Sequence, residues 1–179
     1  MEFVGTPVLQ KPKPTPPSSK CDPAAPGKTG SFVRMANENA KWAHQQQWKF
    51  DNTTGLISLI ADPTLCISVE SGCATHGTSG CASLTLCSQA QPPHGATAFS
   101  WTPAVKSGGS WLHMVTRADA LCFEIDAHDA YQEAPLGVWT CGGEFDQPNE
   151  WWTFDTTMGH IISAQPSSVA GKFVVTACS

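Results

Sequence analysis

The chain has 179 residues, of which 41% are hydrophobic and only 14% are charged. Its 15 glycines and 14 prolines predict frequent turns. The net charge of -5 argues against nucleic acid as the main partner. No apolar run reaches the roughly 18 residues that a membrane span needs. These features favour a turn-rich, mostly β domain.

The chain begins with a proline-rich segment. Residues 6–20 hold five prolines and no aromatic residue, a composition typical of an extended linker. We therefore assign residues 1–20 to a linker or tail and residues 21–179 to one folded domain. A disordered terminus without a partner is the alternative. Residues 1–5 lack the pattern of a secretory signal peptide, so if the protein is secreted, we expect the chain to be a piece of a longer protein.

An internal repeat organises the rest of the chain. Trp48, Trp101 and Trp152 are 53 and 51 residues apart, and each is followed seven residues later by a glycine. Apolar segments predict strands after the glycines, over 56–60, 111–115 and 160–164. Cysteine-bearing segments predict further strands over 65–70, 83–87, 121–126 and 136–141. Residues 36–48 have a helix-forming composition without an apolar stripe, so we interpret them as a loop with a short helical turn.

The repeat predicts the fold class. Three cycles of four strands give about twelve strands, and closing such a sheet about a pseudo-threefold axis removes its exposed edges. We therefore predict an all-β fold, a β-trefoil, in which the three tryptophans belong to the core. The chain termini should then lie close together.

The repeat resembles a known family. Its LC, W-x-C, Q-x-W-x-F and G-x-I elements are similar to those of the ricin B-type lectin repeat, also called the R-type lectin or carbohydrate-binding module family 13. Gln46-Gln47-Trp48 carries the Q-x-W element, and degenerate forms stand at Phe99-Ser100-Trp101 and Glu150-Trp151-Trp152. The resemblance covers roughly residues 21–179. It implies a β-trefoil that binds sugars, often galactose or N-acetylgalactosamine, without a metal or other cofactor.

The eight cysteines indicate disulfides and a secreted or otherwise oxidising compartment. Zinc is the competing hypothesis, but Cys73, His76, Cys81 and Cys87 match no paired C-x-x-C framework. The sequence does not fix the connectivity. The preferred pairs are Cys66–Cys87 and Cys122–Cys141, which the repeat supports, together with Cys73–Cys81 and Cys21–Cys178. A separate motif, Asn52-Thr53-Thr54, is an acceptor sequon for N-glycosylation.

The third repeat contains a candidate sugar site. If Cys122 and Cys141 face each other across antiparallel strands, Glu124 faces Trp139 on the same side of the sheet. A carboxylate can accept hydrogen bonds from sugar hydroxyls, and an indole can cover the apolar face of a sugar ring. The residues next to Glu124 and Trp139 along these strands should point into the core: Phe123, Ile125 and Val138.

The resemblance assigns roles to these positions. It implies that Glu124, in place of the usual Asp, is the main sugar ligand, that Trp139 stacks on the sugar, and that Asn149 is a polar ligand. Asp126 is a further candidate on the Glu124 face. The alternatives are that Glu124 is a solvated strand carboxylate and that Trp139 packs a loop at the rim.

The other two repeats lack this combination. Ser68 and Thr85 stand at the second repeat's carboxylate and aromatic positions, so we predict an inactive site there. In the first repeat, Asp22 lies one residue from the family's position. Residues 118–171 hold nine acidic residues and no Lys or Arg, which favours neutral over sulfated glycans. The acidic run at 124–129 lacks the loop pattern of a calcium site.

We find no catalytic motif. Glu124 and Asp126 lie two residues apart on one strand, whereas a glycosidase pair flanks a bond from two directions. We therefore predict a non-catalytic lectin module, joined by its linker to the catalytic domain of a secreted glycoside hydrolase or similar enzyme, with no membrane or nucleic-acid partner. The alternatives are a trefoil structural or protein-interaction domain that has lost sugar binding, and a trefoil protease inhibitor using residues 89–95.

Overall fold

The computed structural model describes residues 27–70, 81–89, 95–108, 110–125, 134–141, 148–165 and 172–178. Asp22, Asp126 and the proline-rich segment lie outside these residues. The described chain is all-β, with twelve strands in one antiparallel sheet. The strands β1 to β12 are Phe32–Asn37, Trp48–Phe50, Ile57–Leu59, Leu65–Glu70, Cys81–Leu86, Phe99–Pro103, Leu112–Thr116, Leu121–Ile125, Leu136–Thr140, Trp152–Asp155, His160–Ser163 and Phe173–Cys178. The helical elements are the α-helix α1, Ala43–Gln46, and the 3-10 turns Ala40–Trp42, Val105–Ser107 and Pro148–Glu150.

The strands pair in a regular order. Three ladders join β1 to β12, β4 to β5 and β8 to β9. Three hairpins join β2 to β3, β6 to β7 and β10 to β11. Single pairings link β3 to β4, β7 to β8 and β11 to β12. Because β5 also pairs with both β1 and β9, the sheet curls on itself and leaves fewer open edges.

The centre of the core is aromatic. Trp48, Phe99 and Trp152 are fully buried, and a buried indole needs a partner for its N–H. Trp48 Nε1 donates to the carbonyl of Val175 at 2.9 Å, and Trp152 Nε1 donates to the carbonyl of Phe123 at 2.8 Å. These bonds tie β2 to β12 and β10 to β8, because each donor lies on one strand and its acceptor on the other.

Trp101 does not share the position of the other two tryptophans. It is only partly buried, and its ring contacts Phe50 and Phe154 at centroid distances of 6.0 and 6.1 Å. The buried ring of β6 is Phe99, two residues earlier. The prediction that all three tryptophans belong to the core was therefore wrong for Trp101, because the aromatic pair in β6 has its phenylalanine first.

The helix-like segment before β2 is a short turn between strands, as interpreted from its composition. A 3-10 turn leads into the four residues of α1. The Asn39 side chain accepts a hydrogen bond from Lys41 N at 3.0 Å and so caps the start of the turn.

The predicted glycine turns are present. Gly55, Gly108 and Gly159 adopt φ angles of 78°, 70° and 72°, in the left-handed region that glycine enters without steric cost. A Cβ at Gly55 would lie 2.6 Å from the carbonyl oxygen of Phe99, whereas a Cβ at Gly108 would meet nothing within 4 Å.

We expect Gly55→Ala to be more destabilising than Gly108→Ala. Both variants place alanine at a positive φ, which costs about 1–2 kcal/mol. Only Gly55→Ala adds a clash with backbone, which costs about 1–3 kcal/mol more. Urea unfolding of the two variants measures the difference, and equal losses would contradict the close packing at Gly55.

Candidate functional site

The β8–β9 ladder sets the geometry of the candidate site. Cys122 pairs with Trp139 and Glu124 pairs with Gly137, so the direct pairing of Glu124 with Trp139 was wrong. The register is thus shifted by two residues. Cys141 lies beyond the end of β9, and its Cα is 4.8 Å from that of Cys122. An even shift keeps every side chain on its predicted side, so Trp139 is a diagonal neighbour of Glu124.

The β4–β5 ladder has the same offset. Cys66 pairs with Thr85, and Ser68 pairs with Ser83. Cys87 lies beyond the end of β5 and bridges to Cys66 at a Cα–Cα distance of 5.0 Å. Each of these two disulfides therefore fastens the end of a ladder.

The structure contains both disulfides that the repeat supports, Cys66–Cys87 and Cys122–Cys141. Cys178 is disulfide-bonded as well. The predicted pairs Cys73–Cys81 and Cys21–Cys178 involve cysteines outside the described residues. Disulfides of this kind point to an oxidising compartment. Within the described ranges, no helix has the length and apolar character needed to span a membrane.

Glu124 lies at the base of the site. Its strand neighbours Phe123 and Ile125 are buried in the core, as predicted, and Glu124 points to the other side of the sheet. It is nevertheless only 4% exposed, because the 3-10 turn Pro148–Glu150 packs against β8. The alternative of a solvated strand carboxylate was therefore wrong.

Asn149 holds the Glu124 carboxylate from this turn. Its Nδ2 donates to Glu124 Oε2 at 3.2 Å and to the carbonyl of Ile125 at 3.3 Å. Asn149 Oδ1 is buried and has no hydrogen-bond partner among the described residues. Buried acceptors normally have a partner, so this atom is a ready acceptor for a hydroxyl donor.

Trp139 forms the exposed rim of the site. Its side chain is 41% exposed, unlike the core residue Val138 beside it, which is 3% exposed. The structure thus combines an exposed indole with a buried carboxylate on one side of one ladder. Asp126, the fourth predicted ligand, lies outside the described residues.

The side chains at the corresponding positions of the β4–β5 ladder already make hydrogen bonds within the protein. Ser68 Oγ donates to the carbonyl of Gly95 at 2.8 Å, and Thr85 Oγ1 donates to Gln89 Oε1 at 2.7 Å. Neither side chain offers a charge or a ring for a sugar.

Sequence reasoning missed a third comparable ladder, β1–β12. Thr176 pairs there with Arg34, and Gln46 Nε2 donates to Thr176 Oγ1 at 3.1 Å. Thr176 follows a carbonyl that accepts from a buried indole, as Glu124 does. The buried indole hydrogen bond to the preceding carbonyl could have identified Thr176 as the counterpart of Glu124. This hydrogen bond is visible only in the folded structure. Asp22, the first-repeat candidate, lies outside the described residues.

One cluster has the composition of a metal site. Ligand atoms of His113, Cys122 and Glu150 lie within 4.8 Å of one another. However, the sulfur of Cys122 is bonded to Cys141, and metals bind cysteine as the thiolate. While this disulfide is intact, the cluster offers two ligand residues instead of three.

No family model, curated protein or solved structure matches the chain.

We expect Asn149→Ala to destabilise the protein by about 1–3 kcal/mol, because it removes a donor from a buried carboxylate. In a Glu124→Gln background the same substitution should cost less, since the charge-assisted part of the bond is already gone. Urea unfolding of the double-mutant cycle measures this coupling, expected to be about 0.5 kcal/mol or more.

Ser68→Ala is the matched control, because it removes a neutral buried hydrogen bond from the corresponding ladder position. We expect Ser68→Ala to lower the free energy of unfolding by about 0.5–1.5 kcal/mol. Strict additivity of Asn149→Ala and Glu124→Gln would contradict the Glu124–Asn149 interaction.

Proposed function

We propose that residues 21–179 form a β-trefoil of the ricin B type and act as a non-catalytic carbohydrate-binding module. The site lies between β8, β9 and the turn at Asn149. Its ligands are neutral glycans, of the galactose or N-acetylgalactosamine class to which the resemblance points.

The strand pairing supports the trefoil. Each long ladder leads through one further pairing into one hairpin, and this arrangement occurs three times along the chain. The ring of Trp101 contacts those of Phe50 and Phe154, although the three residues come from three different hairpins. The pseudo-threefold axis of a trefoil would bring residues from three hairpins together in this way.

The observation that carries the proposed function is the Glu124–Asn149 pair beside the exposed Trp139. The carboxylate can accept hydrogen bonds from two neighbouring sugar hydroxyls, and such charge-assisted bonds are stronger than neutral ones. Burial strengthens them further, because the local dielectric is low. Asn149 fixes the carboxylate before a ligand arrives, which lowers the entropic cost of binding.

Trp139 supplies the apolar part of recognition. An indole offers a large, rigid surface with a negative face, which suits the C–H groups on one side of a sugar ring. One ring and one carboxylate make a small site, so we expect weak binding, with a Kd of roughly 1 μM to 1 mM.

Charge restricts the class of glycan. Residues 118–171, which contain Glu124, Trp139 and Asn149, hold nine acidic residues and no Lys or Arg. Their field repels sulfated and other polyanionic glycans. The proline-rich residues 6–20 suit a linker to a secreted glycoside hydrolase or similar enzyme, whose catalytic domain would then supply the chemistry.

A glycan array with wild type, Trp139→Ala and Glu124→Gln tests the proposal. We expect wild type to bind neutral galactose-type glycans, with binding lost in Trp139→Ala and reduced about tenfold or more in Glu124→Gln. The reason is that one charge-assisted hydrogen bond is worth about 1.5–3 kcal/mol.

Val105→Ala is the matched control for Trp139→Ala, since Val105 is 84% exposed and lies outside the site. It should bind as wild type does. If a folded, disulfide-intact wild type binds no glycan on the array, this result would contradict the lectin proposal. It would favour a trefoil domain that serves structure or protein interaction. Binding that survives in Trp139→Ala would place the sugar elsewhere.

A further inference from the structure

A second concave surface shares no residue with the candidate sugar site and lies where the hairpins that begin with β2, β6 and β10 meet. It is a cavity of about 350 Å³. Its aromatic wall is formed by Phe50, Trp101 and Phe154, which stand edge-on or tilted to one another. Asn52 and Thr156 lie in the same wall.

Asn52 is also the acceptor of the sequon Asn52-Thr53-Thr54. The residue is exposed, in the turn between β2 and β3. The only covalent attachment point for an N-linked glycan in the described part of the chain therefore lies in the wall of an aromatic cavity.

The turn that carries Asn52 is held rigidly. Asp51 Oδ1 accepts hydrogen bonds from Thr53 N at 2.8 Å and Thr54 N at 3.3 Å. These N–H groups hold the pKa of Asp51 below its ordinary value, because they stabilise the carboxylate. Arg117 donates hydrogen bonds to the carbonyls of Asn52 at 2.9 Å and Thr53 at 3.1 Å.

We propose that Asn52 carries an N-linked glycan whose first N-acetylglucosamine residue occupies this aromatic cavity. In the modification, Asn52 Nδ2 forms a bond to C1 of the sugar. The bond from C1 to the pyrophosphate of a lipid-linked oligosaccharide donor breaks, and the amide loses one proton. The inference rests on passage through a eukaryotic secretory pathway and is independent of sugar binding at Glu124.

Size and chemistry both suit one sugar ring. Cavities for small ligands range from about 300 to 1,000 Å³, so this one is at the small end. The C–H face of a pyranose packs favourably against the negative faces of aromatic rings. Thr153 and Thr156, which also line the cavity, provide hydroxyl groups for the polar edge of the sugar.

Because the sugar is covalently linked to Asn52, a weak contact between the sugar and the cavity is enough to keep the cavity occupied. A short tether gives an effective concentration in the millimolar range, and the rigid turn fixes the direction in which the sugar leaves Asn52. The glycan would then cover aromatic rings that otherwise face solvent, which stabilises the fold.

The test compares three forms of one polypeptide. Two are made in a eukaryotic secretory host with high-mannose glycans: the intact glycoprotein, and the protein trimmed by endoglycosidase H to one N-acetylglucosamine. The third is made without glycan in a bacterial periplasm, where disulfides can form and Asn52 keeps its amide. We expect mass spectrometry to show Asn52 occupied. The first two forms should share one melting temperature, with the third about 2–4 °C lower, a shift typical of losing one aromatic contact in a domain of this size.

A displaced glycan is the matched control. Asn52→Gln with Val105→Asn creates the sequon Asn-Lys-Ser at a position that is 84% exposed and outside the cavity. Removing the glycan there should leave the melting temperature unchanged. Asn52→Gln alone should retain glycan-array binding, which separates this inference from the proposed lectin function.

NMR supplies a readout that does not depend on stability. The ring protons of the first N-acetylglucosamine should shift upfield in the trimmed protein, because they lie over aromatic rings. An unoccupied Asn52, equal melting temperatures for all three forms, or sugar shifts equal to those of the free sugar would each overturn the proposal.

Discussion

The alternation of side chains along β8 joins the core of the protein to its candidate site. Phe123 and Glu124 are adjacent, so the pleat sends one into the core and the other to the opposite side. The carbonyl of Phe123 also accepts the indole N–H of Trp152. The strand therefore cannot slip by one residue without removing Phe123 from the core and breaking this buried bond. The core thereby fixes where Glu124 points.

The same constraint explains how one scaffold can carry unequal sites. Ser68, Glu124 and Thr176 hold comparable places on three ladders, and each is flanked along its strand by residues that lie in the core or pack against it. Because the core side of each strand maintains the fold, the other side can change without cost to the core. In β4 and β12 the position carries a hydroxyl that bonds within the protein. In β8 it carries a carboxylate, held in place by Asn149 and close to an exposed ring.

The features that depend on local chemistry could be predicted from the sequence. Alternating apolar residues indicated the strands, the glycines after the tryptophans mark left-handed turns, and the repeat selected the Cys66–Cys87 and Cys122–Cys141 disulfides. The short helical turn before β2 followed from its missing apolar stripe. The strand, glycine and helical-turn predictions need only neighbouring residues along the chain, and the disulfides need a comparison of the repeats.

The features that depend on register could not be predicted in this way. Trp101 was matched to Trp48 and Trp152 by residue type, but burial selects Phe99, and the alternation Phe99-x-Trp101 was the better signal. The ladder offset was missed because Cys141 reaches back from beyond the strand end instead of pairing directly with Cys122. The burial of Glu124 depends on a turn about 25 residues away in sequence, which strand periodicity does not place.

The most direct test of sugar binding at Glu124 is an NMR titration of the wild-type protein with galactose and N-acetylgalactosamine. We expect saturable shifts of the Trp139 indole N–H, the Asn149 side-chain amide and the Gly137 amide. Signals of Ser68, Thr85 and Thr176 should remain unchanged. Shifts confined to the β4–β5 or β1–β12 ladder, or none at sugar concentrations well above 1 mM, roughly the weakest Kd expected for such a site, would contradict sugar binding at Glu124.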